Sequence, residues 1–500
     1  MSIQIEPSGC SLIPKGPKDQ VKQVNCCYFL AQFAIDLKRR SLDPKIMRNI
    51  DPSKLPIHER LESVLEALNK GSEVLLSAPP GAGKSTVVPG AVADQKWCQG
   101  KVLVSQPRRL AAQALARRVA ALRGCKIGQE VGYSVRFDRQ ISRATRLEFL
   151  TAGLLLRRLQ NDPFLDGIDC IILDEFHERS LDTDFCLALL MQIRAEARPD
   201  LRLVVMSATL DSTTLADRLP AAVQVTSQGR SFPVTVEHQK TSDQPIAKQA
   251  AQAAARASKD HGRVLVFLPG IRAIQRCQEA LAGSQFKVLP LHGRLSQAEQ
   301  QLALQPNSEP QIILATNIAE TSLTIDGVHT VIDTGLARAP RYDARLGLSR
   351  LTTIPISRAS ADQRAGRAGR LGPGRCIRLW SSTSDHQRPA YDVPEIADAE
   401  LSSCLLNILA WGQRVDQFAW FEKPPTANQR QAIALLQQLG AIDDQECITR
   451  KGRVLAQLPI SPRLGAVLHE GAQCGAIELA CMVAALASEP DFLRHRPPEN

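Results

Sequence analysis

At 500 residues, with 44% hydrophobic and 22% charged side chains, the chain has room for about three or four domains and the composition of an ordinary soluble globular protein. Its net charge of +10 favours a polyanionic partner, without separating nucleic acid from an anionic membrane surface. Thirteen cysteines, scattered singly apart from Cys26-Cys27 and with no C-x-x-C pair, argue against a disulfide framework and a zinc site, and suit a reducing cytoplasm.

Residues 1–55 match nothing that follows. They carry Lys15, Lys18, Lys22, Lys38, Arg39 and Arg40 around one weakly apolar segment, and are read as a basic extension without an assigned function. That segment, Cys26 to Ile35, is interrupted by Gln32 and lacks a small-residue cleavage site. It is too short to span a bilayer, and no other stretch approaches the ~18 apolar residues that spanning requires, so no membrane partner is expected.

From Leu61 the pattern alternates short strands with helices. Glu73–Ser77, Lys101–Val104, Asp169–Leu173 and Arg202–Met206 are nearly continuous apolar runs, as parallel strands covered on both faces require. Helical stretches such as Arg109–Leu122 separate them, which predicts an α/β doubly wound lobe over 56–225. The same alternation returns in Arg263–Leu268, Lys287–Leu291, Gln311–Ala315 and Val328–Ile332, giving a second α/β lobe over 226–395. After about residue 395 helical periodicity takes over, in Leu401–Trp411 and Gln429–Leu439, and Pro459 and Pro462 mark a further junction.

Three groups of residues carry chemistry. Ala78-Pro79-Pro80-Gly81-Ala82-Gly83-Lys84-Ser85-Thr86 lies between a strand and a helix. Gly81 and Gly83 let the backbone turn its N–H groups onto phosphate oxygens, Lys84 would reach the β/γ-phosphates, and the Ser85 hydroxyl would hold magnesium. Ala78 stands where the general phosphate-loop rule has glycine. Asp174 and Glu175 follow a strand, where one carboxylate can hold magnesium through its water shell and the next can deprotonate an attacking water. In Gln363-Arg364-Ala365-Gly366-Arg367-Ala368-Gly369-Arg370, three arginines at spacing three are expected on one helix face. There they would approach the γ-phosphate held by the other lobe, as arginine fingers do. His177, read as facing the other lobe, suits a coupling role.

Taken together, these residues resemble a family. Asp174-Glu175-Phe176-His177 resembles the DEAH box, with Phe176 in place of alanine, and Ser207-Ala208-Thr209 the linker between lobes. Gln106-Pro107-Arg108-Arg109, Thr151-Ala152-Gly153, Phe267-Leu268-Pro269-Gly270, Thr316–Ser322 and the Gln363–Arg370 run complete a set in the family's order. With Glu178-Arg179-Ser180, the pattern resembles the bacterial HrpB-type DEAH-box RNA helicases over about residues 56 to 490.

The resemblance implies two RecA-like lobes, a winged-helix domain over 396–460 and the start of a helical ratchet domain over 461–500. The sequence ends before that ratchet domain is complete and no oligonucleotide-binding barrel follows, which leaves processive unwinding open. It further implies ATP as substrate, with phosphate and magnesium on Lys84, Ser85 and Thr86, and with Gly81, Ala82, Gly83, Arg118 and Asp326 also on the nucleotide. Asp174 and Glu175 would direct magnesium, and Glu175 would also activate water. Gln363 would place that water, and Arg367 and Arg370 would meet the γ-phosphate. His177, Ser207 and Thr209 would couple hydrolysis to strand movement. Leu304 occupies the position of an aromatic that clamps the base, so weak base selectivity and use of other NTPs are expected. Arg108, Thr151, Gly270, Thr316 and Asn317 would hold single-stranded or partly duplex RNA through its backbone, with a steep loss of binding in salt. A monomer is expected, and a protein activator is left open. A DNA motor and a catalytically silent RNA-binding scaffold are the competing readings.

Overall fold

The computed structural model describes residues 55–208, 212–228, 232–240, 242–258, 262–305, 309–320, 325, 327–343, 348–370 and 372–488. The basic extension as far as residue 54, together with Thr209 and Asp326, lies outside them.

The apolar runs of the first half form the strands that their pattern demands. β1 (Val74–Ser77), β2 (Lys101–Gln106), β3 (Val131–Val135), β4 (Asp138–Gln140), β5 (Leu147–Thr151), β6 (Ile168–Leu173), β7 (Arg202–Ser207) and β8 (Val223–Thr226) build one sheet. Its order is β4-β3-β5-β2-β6-β7-β1-β8, and every pairing is parallel except the β3–β4 hairpin. The helices Arg109–Leu122 and Leu181–Glu196 supply part of the cover that makes both faces apolar.

In the second half, β9 (Val234–His238), β10 (Arg263–Phe267), β11 (Lys287–Leu291), β12 (Gln311–Ala315) and β13 (Val328–Asp333) enter a second sheet. They are followed by the antiparallel hairpin β14 (Leu336–Asp343) and β15 (Leu348–Pro355), then β16 (Gly374–Arg378). The sheet runs β11-β12-β10-β13-β16-β9, parallel throughout. The chain is therefore α/β, with two tandem RecA-like doubly wound lobes.

Beyond the lobes, helices Ser402–Ala410, Thr426–Gln438 and Arg450–Gln457 and the bridge Ile442–Ile448 form a further region that contains a winged-helix domain. This region shares one continuous core with the first lobe. Leu187, Leu189 and Phe185 of the helix Leu181–Glu196 lie in the same apolar cluster as Leu405, Phe418, Trp420 and Leu436. Two further helices, Pro462–Gln473 and Ile477–Ser488, pack as a hairpin, and the second leaves Leu479, Met482 and Leu486 exposed.

The second lobe has a buried polar hub that its sequence does not advertise. Arg364, 1% exposed, reaches Glu320 at 2.9 Å and Asp333 at 3.0 Å, and its guanidinium lies 4.8 Å over the Phe267 ring. Removing one member of such a buried pair strands the opposite charge, at a cost of about 3–5 kcal/mol. Arg364→Met is expected to lower stability to denaturant by that amount. An unchanged urea midpoint for the second lobe would remove the hub from the account of its stability.

Candidate nucleotide site and nucleic-acid interface

The phosphate loop grows out of β1. Ser77 pairs with Ser207 of β7, and the Ala78 N–H donates to the Ser207 carbonyl at 3.0 Å. The chain then turns through Gly81 and Gly83 at φ 89° and 96°, where glycine alone is unstrained. A Cβ on Gly83 would also stand 2.9 Å from Leu55 Cδ1. Gly83 caps the helix Lys84–Ala93, whose first N–H groups therefore face the loop with the positive end of the helix dipole. The Ala82 carbonyl accepts from the Ile57 N–H at 3.0 Å, which ties the loop to the turn before the first helix. The Thr86 hydroxyl donates back to Gly83 O at 3.1 Å, so that side chain serves the loop itself.

β6 delivers the two carboxylates beneath this loop. Asp174 is 2% exposed, accepts from Gln106 Nε2 at 2.8 Å, and is hydrogen-bonded to Ser85. Burial, reinforced by the neighbouring Glu175 charge, pushes its carboxyl above the ordinary range. Glu175 is also buried but has a cation beside it. Lys84 Nζ stands 3.2 Å from its Oε2 and His177 Nδ1 3.7 Å from the same oxygen. Burial alone would raise the Glu175 carboxyl, yet Lys84 above all, with Arg367, outweighs burial and holds it at about 2. The donors suit a hard cation. The Ser85 hydroxyl and Asp174 are oxygen ligands of the kind magnesium takes, and a dication beside Asp174 would relieve the cost of burying its charge.

The turn after β6 distributes its side chains to several parts of the protein. A 3-10 turn, Phe176–Glu178, is bounded by Glu175 at φ 52° and Arg179 at φ 47°, both left-handed without being glycine. His177 Nδ1 accepts from the Ala208 N–H at 3.2 Å, joining the DEAH box to the linker motif. That hydrogen bond lies within the first lobe. Glu178 holds Arg108 at 3.1 Å, and Arg108 Nη1 donates across the cleft to Asn317 O at 2.7 Å. Ser207 is buried at the end of β7, opposite Ser77.

The arginine run differs from its expectation. The helix ends at Ala365, so Gln363 and Arg364 are helical whereas Arg367 and Arg370 lie in the turns that follow. The three arginines thus do not share a helix face, because Gly366 ends the helix after two turns. Arg364 points into the second lobe's core, as described above. Arg367 is 2% exposed and its Nε donates to the Glu320 carbonyl at 2.8 Å. Burial, then Arg370 beside it, pushes its guanidinium well down, while Glu175 of the first lobe acts in the opposite direction. Gln363 and Arg370 are both half-buried.

Four of the five residues assigned to RNA share one position. Arg108, Thr151, Gly270 and Thr316 are each the N-cap residue of the helix or turn that follows, and none uses its side chain to cap it. Arg108, Gly270 and Thr316 follow β2, β10 and β12, and Thr151 ends β5, so they lie on two adjacent strands in each sheet, at the C-terminal edges where open α/β sheets bind ligands. Asn317 comes next, with its carbonyl already on Arg108. Arg118 sits half-buried on the helix Arg109–Leu122, and Leu304 packs against the second lobe's core. Gln106, Glu320 and Asp333 had no role in the sequence reading. The first two stand inside quoted motifs, which was the available signal.

Comparison with known proteins agrees with this geometry. Residues 60–217 match the DEAD/DEAH box helicase family, 247–372 the helicase conserved C-terminal domain, and 432–460 the winged-helix helicase associated domain (HA2). The chain is 42% identical over 450 residues to the ATP-dependent RNA helicase HrpB of Escherichia coli, covering 88% of this chain and 55% of that protein. It is 37% identical over 462 residues to the human probable ATP-dependent RNA helicase DHX34, covering 88% of this chain and 40% of that one. A crystal structure of the Escherichia coli DEAH/RHA helicase HrpB superimposes with a TM-score of 0.84 at 42% identity, over 89% of this chain and 59% of that chain. The chain thus spans roughly half the length of the HrpB protein it matches. With both helicase lobes, the winged-helix region and the phosphate loop in the family's order, the chain belongs to the HrpB-type DEAH/RHA helicases.

Proposed function

We propose that the chain is an ATP-dependent RNA helicase that hydrolyses ATP between its two lobes, translocates on single-stranded RNA and unwinds duplexes. The observation that carries this is the setting of Glu175, a buried carboxylate subject at once to Lys84 of the first lobe and Arg367 of the second. In this reading Lys84 exchanges Glu175 for the β/γ-phosphates. That exchange removes the cation holding the carboxyl lowest and raises its basicity as the attacking water arrives. Glu175 then takes the water's proton, with Gln363 orienting the water. Arg367 and Arg370 stabilise the charge developing on the γ-phosphoryl oxygens. A magnesium ion held by Ser85 and Asp174 would supply further charge neutralisation. His177 and Ser207 carry the change to the linker between lobes, together with Thr209.

RNA is the polymer that the relatives' names favour, and the four N-cap positions suit it. Free N–H groups at helix starts bind phosphate oxygens without reading bases. Their arrangement in both lobes suits a strand gripped by each lobe in turn as the cleft opens and closes. Leu304 and Arg118 offer no aromatic face for the base, so ATP, GTP and other NTPs serve alike. A monomer working in the cytoplasm fits this reading, and a protein activator is compatible with it.

Steady-state NTP turnover with poly-ribonucleotide, poly-deoxyribonucleotide or no polymer tests the proposal. The expected result is stimulation by RNA, with ATP and GTP hydrolysed at comparable rates. Equal or greater stimulation by DNA would make the protein a DNA motor, and no turnover under any condition would leave a binding scaffold.

A further inference from the structure

Between the two catalytic-loop residues Glu175 and His177 stands Phe176, 3% exposed, whose ring meets that of Phe421 edge to face at 5.3 Å between centroids. Phe421 belongs to the region beyond the second lobe. Arg179 covers the same ring at 4.6 Å, and its guanidinium is held by Asp184 of the first lobe at 2.9 Å and Glu422 at 2.8 Å. Backbone contacts close the seam. The Leu181 N–H donates to Glu395 Oε2 at 2.9 Å and the Glu395 N–H to the Arg179 carbonyl at 3.1 Å.

The turn that presents Glu175 needs such support. Both its ends are left-handed at residues carrying a Cβ, a conformation that persists only where the surroundings over-determine it. Toward the nucleotide, Glu175 has side-chain contacts that substrate must rearrange. On the other side, the turn rests on Phe421, within an apolar core continuous from the first lobe into the winged-helix region. An edge-to-face pair inside a packed core has one preferred geometry, so a displacement of one ring is passed to the other.

From this we infer that Phe421, clamped by Phe176 and the Arg179–Glu422 pair, is a positioning residue for Glu175, so that the winged-helix region sets the aim of the general base. The inference rests on the proposed role of Glu175. It adds a contact made through phenylalanine at a position where the general DEAH box has alanine.

The test combines amide hydrogen exchange with a mutant cycle on the full chain. In Phe421→Ala, exchange at Phe176–Arg179 is expected to rise about tenfold, while β6 and the helix Thr426–Gln438 keep their protection. RNA-stimulated kcat is expected to fall about tenfold at unchanged KM, the signature of a lost transition-state arrangement. Phe176→Ala removes the contact from the other side and is expected to reproduce both effects, and the double variant to be no worse than either single one. Unaltered exchange at 176–179 in both single variants, or losses that multiply in the double variant, would overturn the inference. So would a loss confined to Phe421→Ala and accompanied by opening of Thr426–Gln438. If the unaltered chain does not hydrolyse ATP, the role of Glu175 fails, while the exchange data still decide whether Phe421 holds the turn.

Discussion

Glu175→Gln is expected to reduce ATP turnover by about 10²–10⁴-fold, the range that a positioned general base contributes, while nucleotide binding is kept or tightened. The sign of the binding effect follows from electrostatics. The carboxyl is held at about 2, so it is ionised at neutral pH and its charge opposes that of the incoming γ-phosphate. Glutamine removes that charge and keeps the shape. It also frees Lys84, now 3.2 Å from Glu175 Oε2, for the phosphates. Fluorescent-nucleotide titration and single-turnover hydrolysis separate the two consequences. Turnover within threefold of the unaltered enzyme would show that another group takes the proton.

The second large effect is expected at the opposite wall of the cleft. Arg367→Ala should slow hydrolysis by about 10³–10⁵-fold, as loss of an arginine finger does, with little change in the affinity of the open protein for ADP. Arg367 is already enclosed, and its environment is unfavourable for a cation because burial and Arg370 both act against its charge. A γ-phosphate arriving between the lobes would compensate both, so the interaction is weighted toward the triphosphate-bound, closed state. Lysine should not restore the rate, since a point charge does not reproduce the planar fork that also bonds the Glu320 carbonyl. Arg370→Ala should act in the same direction. A kcat for Arg367→Ala within tenfold of the unaltered enzyme would remove the residue from the catalytic step.

These two expectations also separate the roles inside one motif. Arg364 and Arg367 are three residues apart in a single run, yet the first is expected to carry stability and the second, in the proposed mechanism, chemistry. Arg364→Met should unfold the second lobe more easily, whereas Arg367→Ala should leave its unfolding nearly unchanged and stop turnover.

Much of this protein was determined by its sequence alone. The parallel strands of both lobes announce themselves because burial on both faces demands unbroken apolar runs, and all eight predicted runs carry their whole length, or all but one residue, into strands. The phosphate loop and the Asp174-Glu175 pair were legible because a strand–turn–helix junction fixes which residues meet a phosphate. The hairpin β3–β4, the edge strands β8 and β9, the inner strand β16, and the long hairpin β14–β15 were not. Apart from the buried β3, most are short, polar or exposed on one side, and the pairing of β8, β9 and β16 is chosen by neighbours distant in sequence.

The tertiary structure decided the rest. Only packing sends Arg364 to Asp333 and Arg367 to the seam, because Gly366 ends the helix and breaks the periodicity that spacing suggests. Only packing brings Phe421 onto Phe176. A contact between distant residues is selected by shape and burial in the assembled core, and nothing local to either segment records it.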